Sequence, residues 1–401
     1  MNIPARHPDK PRAVPGLAPV ALLLGLGKPS PHEWDELGTA LLRGDPMMDE
    51  LVEWMVSEGK GSRPLFEQAL RSGVDSIPGA PAPLREFFAH YEADPPWLDR
   101  DKIRLGEKVL QRGGLDGFYL ARDVSLMGGY LASGFNQTLL RTWALEKGSA
   151  QRFAETAQWA LDVTSPGGMD LRGPGYQSTL HVRLIHSYVR RHVAAMPDWR
   201  TEDWGIPINQ TDMAATLVGA LIAPSLGAAA LGILATPREL DAAIHVTRYV
   251  GWLMGVEDQW LPRSFRDGVR VLYPTLMAIT NPDDTSMRLA RPMAREPLGW
   301  HYSSLGSIRG RIAWAQHLSL ATAFLGPEAM RQLGLFGYMP PWYPALRLPI
   351  NLARHLSARI VPGARDKLSR DGRSDQIAFL RTLTGRDGAS IGASAHVSHA
   401  A

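Results

Sequence analysis

The residues best suited to chemistry lie between Arg152 and Arg190. In the segment from Ala150 to Leu161, Arg152, Glu155 and Thr156 fall at i, i+3 and i+4, so one helix face presents a guanidinium, a carboxylate and a hydroxyl. The glycine- and proline-rich run from Ser165 to Gly175 cannot continue that helix. A second helix is expected from about Tyr176 to Ala195, carrying His181, Arg183, His186, Arg190 and His192. An antiparallel pair of this kind brings the polar face of the first helix opposite a histidine of the second, which is how helical proteins build ligand pockets.

Placed on a helical wheel, His186 shares a face with Val182, Arg183, Val189, Arg190 and Val193. An imidazole flanked by valines and backed by arginines suits a metal ligand shielded from water; the ordinary alternative is a buried histidine bonded to a backbone carbonyl. His181 lies with Leu184, Ile185 and Tyr188, and the wheel alone does not choose between the two. Arg152 and Thr156 also have an ordinary reading as helix-surface residues, with Arg152 pairing Glu155. Other chemistries find little support. The sequence has no Gly-x-Ser-x-Gly elbow, no HExxH zinc motif, no Glu-x-x-His pair for a di-iron bundle, and no glycine fingerprint after a strand.

The wording of these blocks resembles a known family. Arg152-Phe-Ala-Glu-Thr156, Gly173-Pro-Gly-Tyr176 and Val182-Arg-Leu-Ile-His-Ser-Tyr-Val-Arg190 are followed in order by Trp204-Gly-Ile-Pro-Ile-Asn-Gln-Thr-Asp-Met213 and the run from Gly251 to Pro262. Across roughly residues 95 to 350 the chain is similar to the latex-clearing-type rubber oxygenases and MpaB-like oxygenases. The resemblance implies a b-type haem in a globin-related helical core, with His186 as the proximal iron ligand. It implies Arg152 and Thr156 as the polar pair near the haem, Thr156 donating a hydrogen bond to bound oxygen, and Arg183 and Arg190 as residues able to meet a propionate. The implied reaction is activation of dioxygen and oxidation of a hydrophobic substrate, including cleavage of a carbon–carbon double bond in an isoprenoid chain. Two departures stand out. Glu155 occupies the place where rubber-cleaving members carry a lysine, which leaves it as a candidate acid or base. Upstream, where those members carry a catalytic glutamate, this chain has Ser133-Gly-Phe-Asn-Gln-Thr138, leaving Asn136 as the candidate for polarising substrate or oxygen. The alternatives are a haem-binding sensor or carrier without turnover, and a cofactor-free helical protein for lipid binding or interaction.

Composition narrows the field. The 401 residues are 45% hydrophobic, enough for a sizeable core. The chain has no cysteine, which excludes disulfides, thiolate-ligated haem and covalent haem attachment. A net charge of +3 without a Lys/Arg run gives no reason to expect nucleic-acid binding. Residues 15 to 27 superficially resemble a signal peptide, but two prolines interrupt the run and no cleavage pattern follows. The uncharged stretch from Met213 to Pro237 is long enough to span a bilayer, yet Pro224 in its middle favours two short buried helices over a stable membrane span. The default expectation is cytoplasmic.

The elements needed to position the site follow helical spacing throughout, and the expected class is all-α. Residues 1–93 form a helical cap with a disordered start over 1–14 and a linker at 76–83. Residues 94–360 form the core, with helices expected at Asp99 to Gln111, Leu115 to Leu131, Thr138 to Lys147, the central pair, Met213 to Leu234 and Pro237 to Val256. Two more are expected around Asn281 to Asp284, and others at 307–322, 326–335 and 346–359. Thr236, Pro237 and Glu239 supply an N-cap, a proline at the first helical position and an acid in the first turn. Residues 361–401 form a polar tail whose last dozen residues are expected to be disordered.

Overall fold

The computed structural model describes residues 2–142, 149–335 and 339–385. Among these the regular structure is helical, apart from an isolated bridge between Ala132 and Asn281. The principal helices are α1 (Pro31–Thr39), α2 (Pro46–Glu58), α3 (Ser62–Ser72), α4 (Ala82–Glu92), α5 (Arg100–Arg112), α6 (Gly114–Leu120), α7 (Ser133–Arg141), α8 (Ser149–Val163) and α9 (Pro174–Ala194). They continue with α10 (Gln210–Leu221), α11 (Ala223–Ala230), α12 (Pro237–Leu253), α13 (Phe265–Ile279), α14 (Asp284–Arg295), α15 (Gly306–Gln332), α16 (Trp342–Ile360) and α17 (Ala364–Thr384). The all-α expectation holds, and the central pair appears as α8 and α9.

Local signals explain many of the boundaries. Asp99 caps α5 by accepting from the Asp101 and Lys102 amides. Thr236 and Glu239 form a reciprocal capping box at α12, with Pro237 at its first position. Asn209 caps α10 through the Asp212 amide, and its own Nδ2 donates to Asp212 Oδ2. The apolar stretch with membrane-spanning length, Gln210–Ala230, divides at Ile222 with Pro224 in the first turn of α11, as its composition suggests. The two helices expected at 307–322 and 326–335 are both present within α15, divided at the non-helical Gly326 with φ 83°. In the Thr138 to Lys147 region the helix starts earlier, at Ser133, and runs to Arg141; 143–148 lie outside the described residues.

One apolar core joins the N-terminal segment to the rest. Met48, Phe66, Leu84 and Phe88 pack in the same cluster as Met169, Leu180, Leu184, Val218 and Val250. The first 93 residues are therefore continuous with the core. The start expected to be disordered is a bonded strap. Ala5 and Arg6 amides donate to Glu202 and Asp203 carbonyls, Arg6 pairs with Asp212 at 2.7 Å, and Arg12 donates to the Ala278 carbonyl. Two partly buried arginines and matched backbone groups order a segment whose composition carries no periodicity.

The polar tail is likewise corrected over its first half. Residues 364–384 form α17, which packs on α5, α6 and α8. Its contact face includes Ser369, Gly372 and Gln376 with Phe379, Leu380 and Leu383, and small or polar contact residues hide a buried face from a hydrophobicity pattern. The disorder expected for the last dozen residues falls outside the described residues.

Candidate active site

α8 and α9 run antiparallel, and two contacts fix their register. Trp159 Nε1 donates to Thr179 Oγ1 at 3.0 Å, and Gly175 sits against Val163, where a side chain would meet Val163 Cα at 2.6 Å. Continuing that register along the helices puts Arg152 level with His186 and Thr156 level with Val182.

His186 is only partly covered, yet burial pushes its pKa down to about 4, with Arg190 acting in the same direction and Asp45 against it. The Nδ1 atom is sealed in with no hydrogen-bond partner. These facts describe a ring deep in the protein with part of its surface facing free space, and neutral at ordinary pH. Val182, Ile185 and Val189 share its stripe and are also only partly covered, and none of them joins the packed apolar clusters. Arg183, Leu184, Ser187, Tyr188 and Arg190, on the other faces of α9, are buried. α10, which Arg190 Nη2 reaches at Met213 Sδ (3.7 Å), carries an exposed Thr216 and a Gly219 with open space where a side chain would stand. His181, the rival on the wheel, is taken: its Nε2 lies 2.9 Å from both carboxylate oxygens of Glu67.

The remaining predicted residues divide. Arg152 is half-buried and its guanidinium bonds the hydroxyl of the buried Tyr130, opposing the rise that burial imposes on that phenol. Thr156 is exposed, and its hydroxyl donates to the Arg152 carbonyl at 3.1 Å. Glu155 accepts from Gln151 Nε2 at 3.2 Å on its own helix.

Arg183 and Arg190, expected near a propionate, both have partners within the protein. Arg183 is 1% exposed and forks onto Asp45, with Nε–Oδ2 at 2.6 Å and Nη2–Oδ1 at 2.7 Å, while Nη1 donates to the Leu253 carbonyl. Its plane lies over Tyr91 and Phe87. Arg190 pairs with Asp49 and donates to the Ile208 carbonyl. A charge this deep needs a partner in the fold, and both have one on α2 or just before it. Asn136 is also committed: its Nδ2 donates to the Tyr130 carbonyl (2.8 Å) and Thr285 Oγ1 (3.0 Å). Through Nδ2 it braces the turn that presents Tyr130 to Arg152, while its Oδ1 is buried without a partner.

Sequence reasoning missed a buried polar cluster beside Arg152. The helix after Leu120 widens to π form over Ala121–Leu126, a distortion often found at functional sites. There Arg122 pairs with Asp123 (2.6 Å) and Glu296 (2.8 Å), and Asp123 also bonds His317 Nδ1. Arg122 lies over the ring of Phe153, the neighbour of Arg152, and His317 Nε2 and Glu296 Oε1 are sealed without partners. An adjacent Arg-Asp pair inside an apolar helix was the available signal.

The donor set can be weighed against a haem. Among the described residues no three His, Asp or Glu side chains gather to hold a bare ion. A neutral imidazole with part of its ring facing free space instead suits a metal that brings its own in-plane ligands. The uncovered Val182–Ile185–Val189 stripe suits a flat apolar ring. Arg183 and Arg190 are held by Asp45 and Asp49, and Arg152 is the cation level with His186.

The fold is all-α, with a deep histidine on one helix facing the antiparallel neighbour that carries Arg152, Glu155 and Thr156. A family model described as "ER-bound oxygenase mpaB/B'/Rubber oxygenase, catalytic domain" matches residues 114–359, and the chain belongs to this family. The resemblance read from the motif blocks is thereby borne out. The chain is 23% identical over 246 residues to a rubber oxygenase of Streptomyces sp. (strain K30), an alignment covering 60% of this chain and 58% of that protein. It therefore spans less than two thirds of that relative's length. The solved structure of latex clearing protein LCP in the closed state superposes with a TM-score of 0.63 at 18% identity, covering 83% of this chain and 88% of that one. At that identity the likeness speaks for the fold.

Proposed function

We propose that this protein is a haem b-dependent oxygenase that uses dioxygen to oxidise a hydrophobic, isoprenoid-like substrate, with cleavage of a carbon–carbon double bond as the reaction. The observation that carries the reading is His186: neutral, deep, with part of its ring facing free space and bordered by an uncovered apolar stripe. When bound, the haem supplies the oxygen chemistry. His186 holds it through a neutral imidazole. Val182, Ile185 and Val189 give the ring an apolar bed and exclude water from it. Arg152, oriented by Tyr130, which Asn136 holds from behind, provides a fixed positive charge level with His186. Thr156 presents a hydroxyl one turn further along the same face. Glu155 offers a carboxylate that accepts from Gln151 on its own helix.

The test is oxygen uptake by the hemin-loaded protein supplied with polyisoprene oligomers, with carbonyl products identified by mass spectrometry. Uptake that depends on the alkene and yields carbonyl-terminated fragments is expected. Haem-loaded protein that consumes no oxygen with polyisoprene or shorter isoprenoid alkenes would overturn the reading and favour a carrier or sensor.

A further inference from the structure

α16 is a helix whose polarity is reversed. Its inward face carries Tyr343, Arg347, Asn351 and His355 at successive steps of four residues, all directed into the protein. Tyr343 Oη donates to Asp116 Oδ1 at 2.5 Å, Arg347 Nη2 pairs with Asp116 Oδ2 at 2.8 Å, and Asn351 Nδ2 donates to the same carboxylate at 2.7 Å. A buried acid thus anchors the helix by its polar face.

The opposite face is apolar and uncovered. Trp342, Leu346, Pro349, Ala353, Leu356 and Ile360 form one exposed stripe along the helix, with Leu346 53% and Ile360 82% exposed. A surface helix of a protein surrounded by water normally has the reverse arrangement. Single exposed apolar residues need no explanation, but a contiguous face roughly 28 Å long marks a contact with another apolar phase.

Charge identifies that phase. From Ala329 to Arg365 the chain has no Asp or Glu, but five arginines: Arg331, Arg347, Arg354, Arg359 and Arg365. Arg354 and Arg359 are exposed and flank the stripe on either side. Pairing the face with a second copy would set arginine flanks against arginine flanks. An apolar stripe with an aromatic at one end and arginines along its borders matches instead an anionic lipid surface, where the aliphatic stems lie along the acyl boundary and the guanidinium groups reach phosphates.

We propose that the outward face of α16 docks this protein onto a bilayer surface bearing anionic headgroups, the helix lying in the interfacial plane. The inference does not depend on the oxygenase reading, and its test needs no haem.

The full-length protein is co-sedimented with vesicles of phosphatidylcholine mixed with phosphatidylserine, and with vesicles of phosphatidylcholine alone. The wild type should bind the mixed vesicles and bind more weakly as salt is added. Leu346→Glu with Leu356→Glu should lower the partition coefficient at least about tenfold, since each leucine loses its transfer into the acyl boundary. Circular dichroism checks that the double variant remains helical. Arg354→Gln with Arg359→Gln, which leaves the stripe intact, should weaken binding to mixed vesicles and leave the phosphatidylcholine value unchanged. Wild type that stays in the supernatant, or equal sedimentation of wild type and both variants, would overturn the proposal. So would a wild-type dimer without vesicle binding that the leucine variant converts to monomer, which would assign the face to a second copy.

Discussion

Removing the Asp45 carboxylate tests what positions α9, and therefore His186. Arg183 is buried, and three of its donors go to Asp45 and the Leu253 carbonyl. Asp45→Ala leaves a guanidinium without its counter-charge in a site closed to water, at a cost of about 3–5 kcal/mol. The substitution also removes the N-cap of α2, where Asp45 accepts from the Met48 amide, about 1 kcal/mol of that total. Adding Arg183→Met removes the stranded charge and fills much of the same volume. The double variant should therefore lose only about 1–2 kcal/mol, less than Asp45→Ala alone. Urea unfolding of the wild type, both single variants and the double variant completes the cycle. If Arg183 is a brace, the double variant should also keep its affinity for hemin. Destabilisation equal to the sum of the two single losses, or hemin affinity abolished in a folded double variant, would refute the reasoning and return Arg183 to the cofactor.

Glu107 is 3% exposed, its Oε1 has no partner, and burial pushes its pKa up to about 7 against the pull of the Met169 and Gly167 amides. The folded protein therefore keeps a proton that the unfolded chain releases near pH 4.5, so stability falls as pH rises from 4.5 to 7. Glu107→Gln should flatten that segment of the stability–pH curve and stabilise the protein above pH 7 by up to roughly 3 kcal/mol, read from urea midpoints; an unchanged slope would contradict the assignment. Gly175→Ala inserts a carbon 2.6 Å from Val163 Cα and 2.9 Å from the Asp162 carbonyl. It should cost about 1–3 kcal/mol and weaken hemin binding by spreading α8 from α9; unaltered stability would mean the pair tolerates a wider spacing.

The sequence carried the site pair because its signals are local. Helical spacing of Arg152, Glu155 and Thr156, a loop that cannot be helical, and the motif around His186 all act within a few turns. The capping box at Thr236 and the break before Pro224 were legible for the same reason. What long-range pairing decides was not legible. Whether Arg183 faces a ligand or the protein depends on Asp45, 138 residues away. His317 becomes notable only when α15 brings it to Asp123, 194 residues away. The N-terminal strap is ordered by Asp212 and Ala278, and α17 by a contact face of serine, glycine and glutamine with a few apolar side chains, so neither left a clear hydrophobic period to read. α16 had been legible as a basic helix, but which of its faces turns outward is decided by Asp116.

The central claim is that His186 is the ligand for a haem, and the visible absorption spectrum during hemin titration tests it most directly. Wild type and His181→Ala should develop the same Soret band, because His181 is engaged by Glu67. His186→Ala should lose or shift that band while remaining helical by circular dichroism. No Soret band in the wild type, or an identical band in His186→Ala, would contradict the account.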